Sequence, residues 1–149
     1  MTIPTITNAR LWQLYACWLG KCAGRRYPSR ADFNPTADLR FILGNLILVD
    51  VIQGTPPDFR IRLHGSNLVS RHGYELTGKM LDQLPLVEQR ERARQTFTTV
   101  VATGELLHGH RDQAFDGRPQ RYETIVLPLS SDSVAVDMLL VGLIHSDEK

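Results

Sequence analysis

The chain has 149 residues, 42% of them hydrophobic, and a net charge of +1. A chain of this size can bury the core of one soluble domain without a metal ion or a disulfide. Its near-zero charge gives no support for nucleic acid or a membrane surface as a partner. Cys17 and Cys22 lie on different faces of a predicted helix, so we do not expect them to pair, which suits a reducing compartment. No apolar segment is long enough to span a membrane, and we predict a cytoplasmic location.

A first helix is predicted over residues 8–23, with Thr7 or Asn8 as its cap and Gly24 at its end. Its apolar arc is wider than the stripe of about 100° that a single contact surface requires. The helix should therefore contact two surfaces, and the second belongs either to its own domain or to a second copy of the chain. The residues predicted for a homodimer interface are Leu11, Trp12, Tyr15, Trp18 and Leu19.

A short helix is predicted from Pro35, with Asn34 as its cap and Gly44 just beyond its end. Residues 46–52 then form a strand, and residues 66–84 form two short helical turns. The strand between them alternates strictly. It places Phe59, Ile61 and Leu63 on one face and Arg60, Arg62 and His64 on the other.

The longest helix is predicted over residues 85–103 and ends at Gly104, with Glu88 and Arg92 as an ion pair on a solvated face. Its buried stripe is predicted to consist of Leu86, Ala93, Phe97, Val100 and Val101. Three strands close the chain, over residues 105–115, 120–129 and 134–145, with a tight Asp116-Gly117 hairpin and a turn at residues 130–133. Hairpins join antiparallel neighbours, so we predict an α+β fold with one mostly antiparallel sheet.

Five pieces of the sequence occur in an order that is typical of one family. They are Leu11-Trp12 with Trp18, Tyr-Pro-Ser-Arg-Ala-Asp-Phe from Tyr27, Phe-Arg-Ile-Arg-Leu-His-Gly from Phe59, Glu-Leu-Thr-Gly-Lys from Glu75, and Val-Asp-Met-Leu-Leu from Val136. With these pieces the chain resembles the PAS domain family, and most of all the stand-alone PAS-like proteins of alphaproteobacteria that carry an extra N-terminal helix. The resemblance implies a five-stranded antiparallel sheet with helices on its concave face. Residues 1–34 would then be the N-terminal helix and linker, and residues 35–149 the PAS-like domain.

The resemblance also implies a sensory or regulatory module without catalytic activity. Such a module binds a small molecule, a protein partner or both, and an N-terminal helix often contributes to a homodimer. PAS domains usually pass their signal to an output domain that follows them. The sequence ends at Lys149, so we expect output through a separate signalling partner, with a ligand shifting the population of two conformations.

A ligand cavity is predicted where the sheet, the small helices and the long helix converge. Adaptable methionine and aromatic side chains are typical of such a lining. The predicted ligand-binding residues are Leu63, Leu68, His72, Tyr74, Met80, Phe97, Val101, Met138 and Leu140. The alternative is a filled core without a ligand, because small domains normally pack without voids.

The cofactor is left unknown, with flavin and haem both disfavoured. Flavin photochemistry needs a cysteine inside the predicted cavity, whereas Cys17 and Cys22 belong to the N-terminal helix, which is expected outside it. Haem sensors usually bind iron through a histidine, and the long helix contains none, although His72 could face the cup.

No metal site is predicted. His108, His110 and Asp112 share one face of a strand, but two histidines and one carboxylate are too few for a closed structural site, and a solvated face is favoured. The basic cluster of Lys21, Arg25, Arg26 and Arg30 could contact phosphate or an acidic partner, yet it lacks the interleaved aromatic residues expected of a nucleic-acid surface.

Two other functions remain open. One is a small cavity enzyme of the cone-shaped isomerase or cyclase type, with Asp50 and either His64 or His72 as its acid–base pair. Strand order separates that fold from the PAS fold. In the regulatory interpretation Asp50 lies on the outer sheet face and has a backbone or arginine partner. The other function is an adaptor that binds no ligand and uses its apolar helix to bind a different protein.

Overall fold

A computed structural model describes residues 4–115 and 118–148. The helices are α1 (Ala9–Cys22), α2 (Pro35–Asp38), α3 (Ser66–His72) and α4 (Val87–Thr103), and the strands are β1 (Leu46–Ile52), β2 (Asp58–His64), β3 (Leu107–Phe115), β4 (Arg118–Leu129) and β5 (Met138–His145). Short 3-10 turns lie at Arg30–Asp32, Leu43–Asn45 and Leu81–Gln83. The predicted order of elements is confirmed, although α2 ends well before Gly44. The predicted Asp116-Gly117 hairpin lies outside the described residues.

The five strands form one antiparallel sheet in the order β2-β1-β5-β4-β3. Its inner face, covered by α4, carries Val49, Val126 and Val141, and its outer face, covered by α1, carries Gly142 and Ile125. Both faces are therefore buried over the centre of the sheet. The antiparallel α+β fold and the separate N-terminal helix are confirmed.

A β-bulge in β2 reverses part of the predicted alternation. Val49 of β1 lies opposite Ile61, but the next residue back, Leu48, lies opposite Leu63, which leaves Arg62 as an extra residue. One extra residue moves every later side chain to the other face. Leu63 is therefore on the outer face and His64 on the inner face, so the prediction for these two residues is wrong.

Helix α1 packs across the outer face of the sheet. Asn8 is its N-cap, and the Asn8 side chain accepts hydrogen bonds from the amides of Arg10 and Leu11. Further along, the indole of Trp18 donates to the carbonyl of Pro128 at 2.9 Å. The Trp18 bond and apolar packing join α1 to the sheet in one core, whose α1 members are Leu11, Leu14, Tyr15 and Trp18. The division at residue 34 stays a prediction, although no break in packing marks it.

The predicted dimer residues do not share one surface. Leu11, Tyr15 and Trp18 are at most 3% exposed and are buried against their own domain, so their assignment to an interface is wrong. Trp12 and Leu19 are 48% and 40% exposed. They are seven residues apart and lie on the same side of the helix. The wide apolar arc thus has one face in the core and a smaller face in solvent.

Glu123 fixes the start of α1 to the sheet. Its carboxylate accepts hydrogen bonds from the backbone amides of Thr7 and Asn8, both at 2.9 Å, and from the Thr7 hydroxyl at 2.7 Å. Burial alone would raise the pKa of Glu123, but hydrogen bonds from Thr7, His108 and Asn8 hold its pKa below the ordinary value. The carboxylate stays ionised and satisfies amides at the helix start.

Helix α4 closes the inner side of the sheet. Phe97 meets Phe59 edge to face, with 5.4 Å between ring centroids, and Gly104 ends the helix with a left-handed φ of 70°. Leu86 precedes the helix and is exposed, so its place in the predicted stripe is wrong. No ion pair joins Glu88 to Arg92 in the described structure, because Arg92 turns toward the interior of the cup.

None of the helices described is long and apolar enough to cross a membrane.

Candidate functional site

A cavity of about 190 Å³ lies between the inner face of the sheet and helices α3 and α4. Most of its wall is apolar, formed by Ile47, Leu76, Leu84, Ala93, Phe97, Leu107, Val126, Val141 and Leu143. Its polar wall comes mainly from His64, His72, Tyr74, Gln89, Arg92, Thr96, Arg111, Tyr122, Thr124 and His145. A largely apolar cleft with a few polar side chains is the usual form of a small-molecule site.

The charged side chains of this wall are of one sign. Arg92 on α4 and Arg111 on β3 both line the cavity, and the described lining residues include no aspartate or glutamate. The carboxylates of Glu75 and Glu148 lie behind the wall, 3.8 Å from His64 Nδ1 and 3.5 Å from His145 Nδ1. The interior of the cavity is therefore favourable for negative charge.

His64 enters this wall because of the bulge at Arg62. It is 7% exposed, and its Nδ1 accepts a hydrogen bond from the Leu76 amide at 3.2 Å, which leaves the proton on Nε2. Burial lowers the pKa of His64, while the nearby Glu75 carboxylate opposes the shift. The imidazole is thus neutral at pH 7 and holds the segment after α3 against β2.

Three histidines and two tyrosines form a continuous ring cluster at one end of the cavity. His72 is the centre, with ring centroids 5.6 Å from His145, 5.7 Å from Tyr74 and 6.2 Å from His64. The Tyr122 ring lies 5.7 Å from His145. Burial, together with the charges of His145, His64 and Arg71, lowers the pKa of His72 to about 4. His72 is therefore uncharged near neutral pH and supplies an aromatic surface.

Buried donors around the cavity have no partner in the described chain. They are Nη1 of Arg92 and Nε2 of Gln89. The two ring nitrogens of His145 also lack a hydrogen-bond partner there, but a neutral imidazole carries only one N–H, and Nδ1 faces the Glu148 carboxylate at 3.5 Å. The Gln89 amide is oriented by Tyr74, whose hydroxyl donates to Gln89 Oε1 at 3.2 Å. A buried donor left without an acceptor costs about 1–3 kcal/mol, and more when it is charged. Acceptors from outside the chain would remove this cost.

The structure brings three of the predicted ligand-binding residues together. His72, Tyr74 and Phe97 all line the cavity, from α3, the following loop and α4. The spacing of Phe97 on the long helix and the position of His72 on the short one were the sequence signals for them. Whether they bind a ligand stays a prediction.

The other predicted residues lie outside the cavity wall. Leu63, Leu140 and Met138 are on the outer face of the sheet, where Leu63 and Leu140 line a second pocket of about 40 Å³ against Phe33 and Leu39. The β2 bulge explains Leu63. For β5, its pairing with β1 puts Val141 inside and Leu140 outside. The remaining three, Leu68, Met80 and Val101, pack elsewhere.

Gln89, Arg92 and His145 line the candidate site and were not predicted from the sequence. Gln89 and Arg92 lie one helical turn before Ala93 and Thr96 on the face that carries Phe97, so polar residues interrupt the buried stripe. His145 continues the period-two series of Val141 and Leu143 on β5. Both patterns are present in the sequence. The pattern on α4 was not recognised because an ion pair between Glu88 and Arg92 was expected.

A second polar cluster lies on the outer face and begins at His108. The ligand atoms of His108, His110 and Glu123 lie within 4.8 Å of one another, a grouping that could hold a metal ion. His108 Nε2 is 2.7 Å from Glu123, but the same carboxylate already accepts three hydrogen bonds from Thr7 and Asn8. Asp112 instead pairs with Arg121. Glu123, not Asp112, is thus the carboxylate beside the two histidines, and its main partner is α1.

Neither cysteine lines the cavity, since Cys17 and Cys22 both belong to α1 on the outer side of the sheet. Asp50 also lies outside, where its carboxylate pairs with Arg62 at 2.8 Å. Asp50 is thus across the sheet from His64 and His72, so the acid–base pair weighed for a cavity enzyme is wrong. The arginine partner expected for Asp50 is present.

Two solved structures, both under 20% identical to this chain, share its fold. The PAS domain of Bordetella pertussis BvgS matches with 18% identity and a TM-score of 0.57, over 74% of this chain and 84% of that one. The Rhodobacter sphaeroides LOV protein matches with 14% identity and a TM-score of 0.52, over 97% of this chain and 70% of that one. A search of curated proteins found no significant match.

The family comparison covers almost the whole chain. The family model described as a PAS domain matches residues 6–145, from just before α1 to the last residue of β5. The match includes the Glu-Leu-Thr-Gly-Lys piece at Glu75 and the strand order β2-β1-β5-β4-β3 agrees with it. The chain belongs to the PAS domain family.

Proposed function

We propose that this protein is a sensory or regulatory module that binds a small molecule in the cavity between the sheet and α4. The observation that carries the proposal is the pair of buried donors on Gln89 and Arg92, which line an otherwise mostly apolar wall. A filled core would leave neither a space of about 190 Å³ nor donors without acceptors.

The proposed role is recognition without catalysis. General acid–base work needs a group that is poised near neutral pH and within reach of the substrate. Burial lowers the pKa values of His64, His72 and His145, and the described lining residues include no aspartate or glutamate. PAS domains usually serve as sensors, which agrees with this role.

Ligand binding would act on a partner through a shift between two conformations. A ligand changes such an equilibrium only by its difference in affinity for the two states. Helix α4 is the element that would respond first, because Gln89, Arg92 and Phe97 are all on it and all line the cavity. A second copy of the chain, contacting the exposed Trp12 and Leu19 of α1, is the proposed dimer partner.

Native mass spectrometry of freshly purified protein, with benzyl alcohol as a neutral probe, tests the cavity. An apolar cavity of about 150 Å³ is large enough to bind benzene, so a small aromatic alcohol should fit. We expect the wild type to retain a small molecule or to be thermally stabilised by benzyl alcohol. Thr96→Phe, which fills part of the cavity, should lose this response, whereas Thr99→Phe on the exposed side of α4 should keep it.

The result against the proposal would be a wild type that carries no added mass and shows no thermal shift with either benzyl alcohol or benzoate. An unchanged response in Thr96→Phe would also contradict it, provided that circular dichroism shows the variant folded.

A further inference from the structure

We infer that the ligand is a small molecule with an apolar body and a carboxylate, and that Arg92 is the residue that selects the carboxylate. This inference rests on the proposed function and names the class of ligand for the same cavity. It starts from the distribution of charge in the wall and from the state of each polar donor.

Arg92 is a guanidinium with no counterion among the residues that the structure describes. It makes no hydrogen bond or ion pair to the described chain, and its Nη1 is buried beside Ala93 and Thr96 in the cavity wall. Other arginines on the same helix are paired, since Arg94 contacts Asp58 and Asp82, and Arg90 donates to the Asp82 carbonyl at 3.0 Å. Arg92 as a whole is only partly buried, so the unmet donor is Nη1, and a buried charged donor is costly unless acceptors face it. A ligand carboxylate would supply them.

A polar neighbour of Arg92 is a donor as well. Gln89 is one turn away on α4, and its Nε2 is left as the free end of the amide because Tyr74 occupies Oε1. Across the cavity, His145 is 1% exposed and its Nδ1 faces the Glu148 carboxylate at 3.5 Å, so the inferred donor set does not include it. A carboxylate has two oxygens with about four acceptor positions. It can therefore accept from both Arg92 and Gln89.

The remaining wall determines the body of the ligand. Around the donors the side chains are aliphatic or aromatic, with Phe97, Leu107 and Val126 among them. Arg111 adds a second positive charge on the β3 side of the wall, and no described acidic residue of the wall competes for either guanidinium. Guanidinium groups bind carboxylates with favourable planar geometry. The wall is thus complementary to a compact aromatic or aliphatic acid.

A paired comparison of benzoate and benzyl alcohol tests the inference, because the two probes share a ring and differ in the acid group. We expect the wild type to bind benzoate roughly tenfold or more tightly than benzyl alcohol by calorimetry or NMR titration, the size expected for a charge-assisted hydrogen bond. Arg92→Met should abolish this preference by weakening benzoate alone. Arg90→Met removes the same charge from the same helix and should keep the preference.

The inference is overturned if the wild type binds benzyl alcohol as tightly as benzoate, or if Arg92→Met keeps the preference. If benzyl alcohol still binds in either case, the proposed function is retained and only the assignment of a carboxylate ligand is rejected. If Arg92→Met does not fold, Gln89→Leu replaces it, and a preference for benzoate that is not reduced in Gln89→Leu overturns the assigned donor set. A wild type that binds neither benzoate nor benzyl alcohol would contradict the proposed cavity function itself.

Discussion

The side chain of Leu14 occupies the space where a side chain at Gly142 would have to go. A Cβ built on Gly142 lies 2.7 Å from Leu14 Cδ2 and 2.8 Å from Leu11 Cδ2. Both leucines are fully buried. The close approach of α1 to β5 therefore depends on a residue without a side chain at this position of the strand.

Gly142→Ala should destabilise the domain by about 1–3 kcal/mol, the usual cost of overpacking a core. The clash is with the ends of flexible side chains, so we expect a folded protein with a shifted α1. Denaturant unfolding measures the change. Gly20→Ala is the matched control, because nothing lies within 4 Å of its added Cβ, and in a helix interior the change should be neutral or stabilising by up to about 1 kcal/mol. Equal losses in both variants would contradict the packing argument.

Glu123→Gln should loosen the start of α1 while the sheet stays folded. The amide keeps an acceptor but loses the charge that binds the amides of Thr7 and Asn8, and we expect a cost of about 1–3 kcal/mol. Hydrogen exchange should show faster exchange in α1 than in β4. Glu105→Gln is the control, since Glu105 is 54% exposed and only faces Arg26.

The lowered pKa of Glu123 predicts how this stabilisation of α1 changes with pH. Because its pKa is lowered on folding, the carboxylate contributes stability above its ordinary pKa, and that contribution is lost as the pH falls below it. Protection of the α1 amides in the wild type should therefore decrease in acid and become similar to that of Glu123→Gln. Protection in the wild type that does not change on acidification would count against the assignment.

His72 should make the domain sensitive to mild acid. Its pKa is lowered to about 4 on folding, so the unfolded chain binds a proton first. The contribution of His72 to the free energy of unfolding is fully present above pH 6.5. It is lost as the pH falls toward 4, by at most about 3 kcal/mol. His145 and His64, whose pKa values are also lowered by burial, add to the loss despite the opposing charges of Glu148 and Glu75.

Denaturant midpoints at pH 7 and pH 5 measure this effect. His72→Gln removes the imidazole whose pKa is lowered to about 4, and it should reduce the difference between the two midpoints. A wild type with the same stability at both pH values, or a variant with an undiminished difference, would show that His72 does not carry the effect.

Trp12 and Leu19 should decide the oligomeric state if α1 forms the proposed homodimer. We expect light scattering to report a dimer for the wild type and a monomer for the double variant Trp12→Glu with Leu19→Glu, because the changes place charge in an apolar contact. Gln13→Glu adds a charge to the same helix beside this surface and should remain dimeric. A monomeric wild type would remove the dimer from the proposal.

The fold could be predicted from the sequence because its signals are local and agree with one another. Asn8 and Gly104 mark the limits of two helices, and the strands of β4 and β5 follow a period of two. The site depends on non-local detail. No local sequence signal near Arg62 predicts the β-bulge, because the bulge arises from the pairing of β1 with β2. That one residue exchanges Leu63 for His64 in the cavity wall.

The orientation of the Arg92 side chain toward the cavity was not predicted, for a different reason. Local spacing favoured a surface ion pair with Glu88, which is worth only about 0.3–0.5 kcal/mol. So small an energy is easily exceeded by tertiary packing, and the structure turns Arg92 inward. The alternation of β5 is equally regular on both faces, so the choice of Val141 over Leu140 for the cavity requires the position of α1.

Both tryptophans of the chain are on α1. Trp18 is enclosed and bonded to the Pro128 carbonyl, whereas Trp12 is half in solvent. Intrinsic fluorescence is consequently a natural optical probe of this one helix. A red shift of the Trp18 component would report release of α1 from the sheet, and quenching of Trp12 by iodide would report what covers its outer side, without any attached dye.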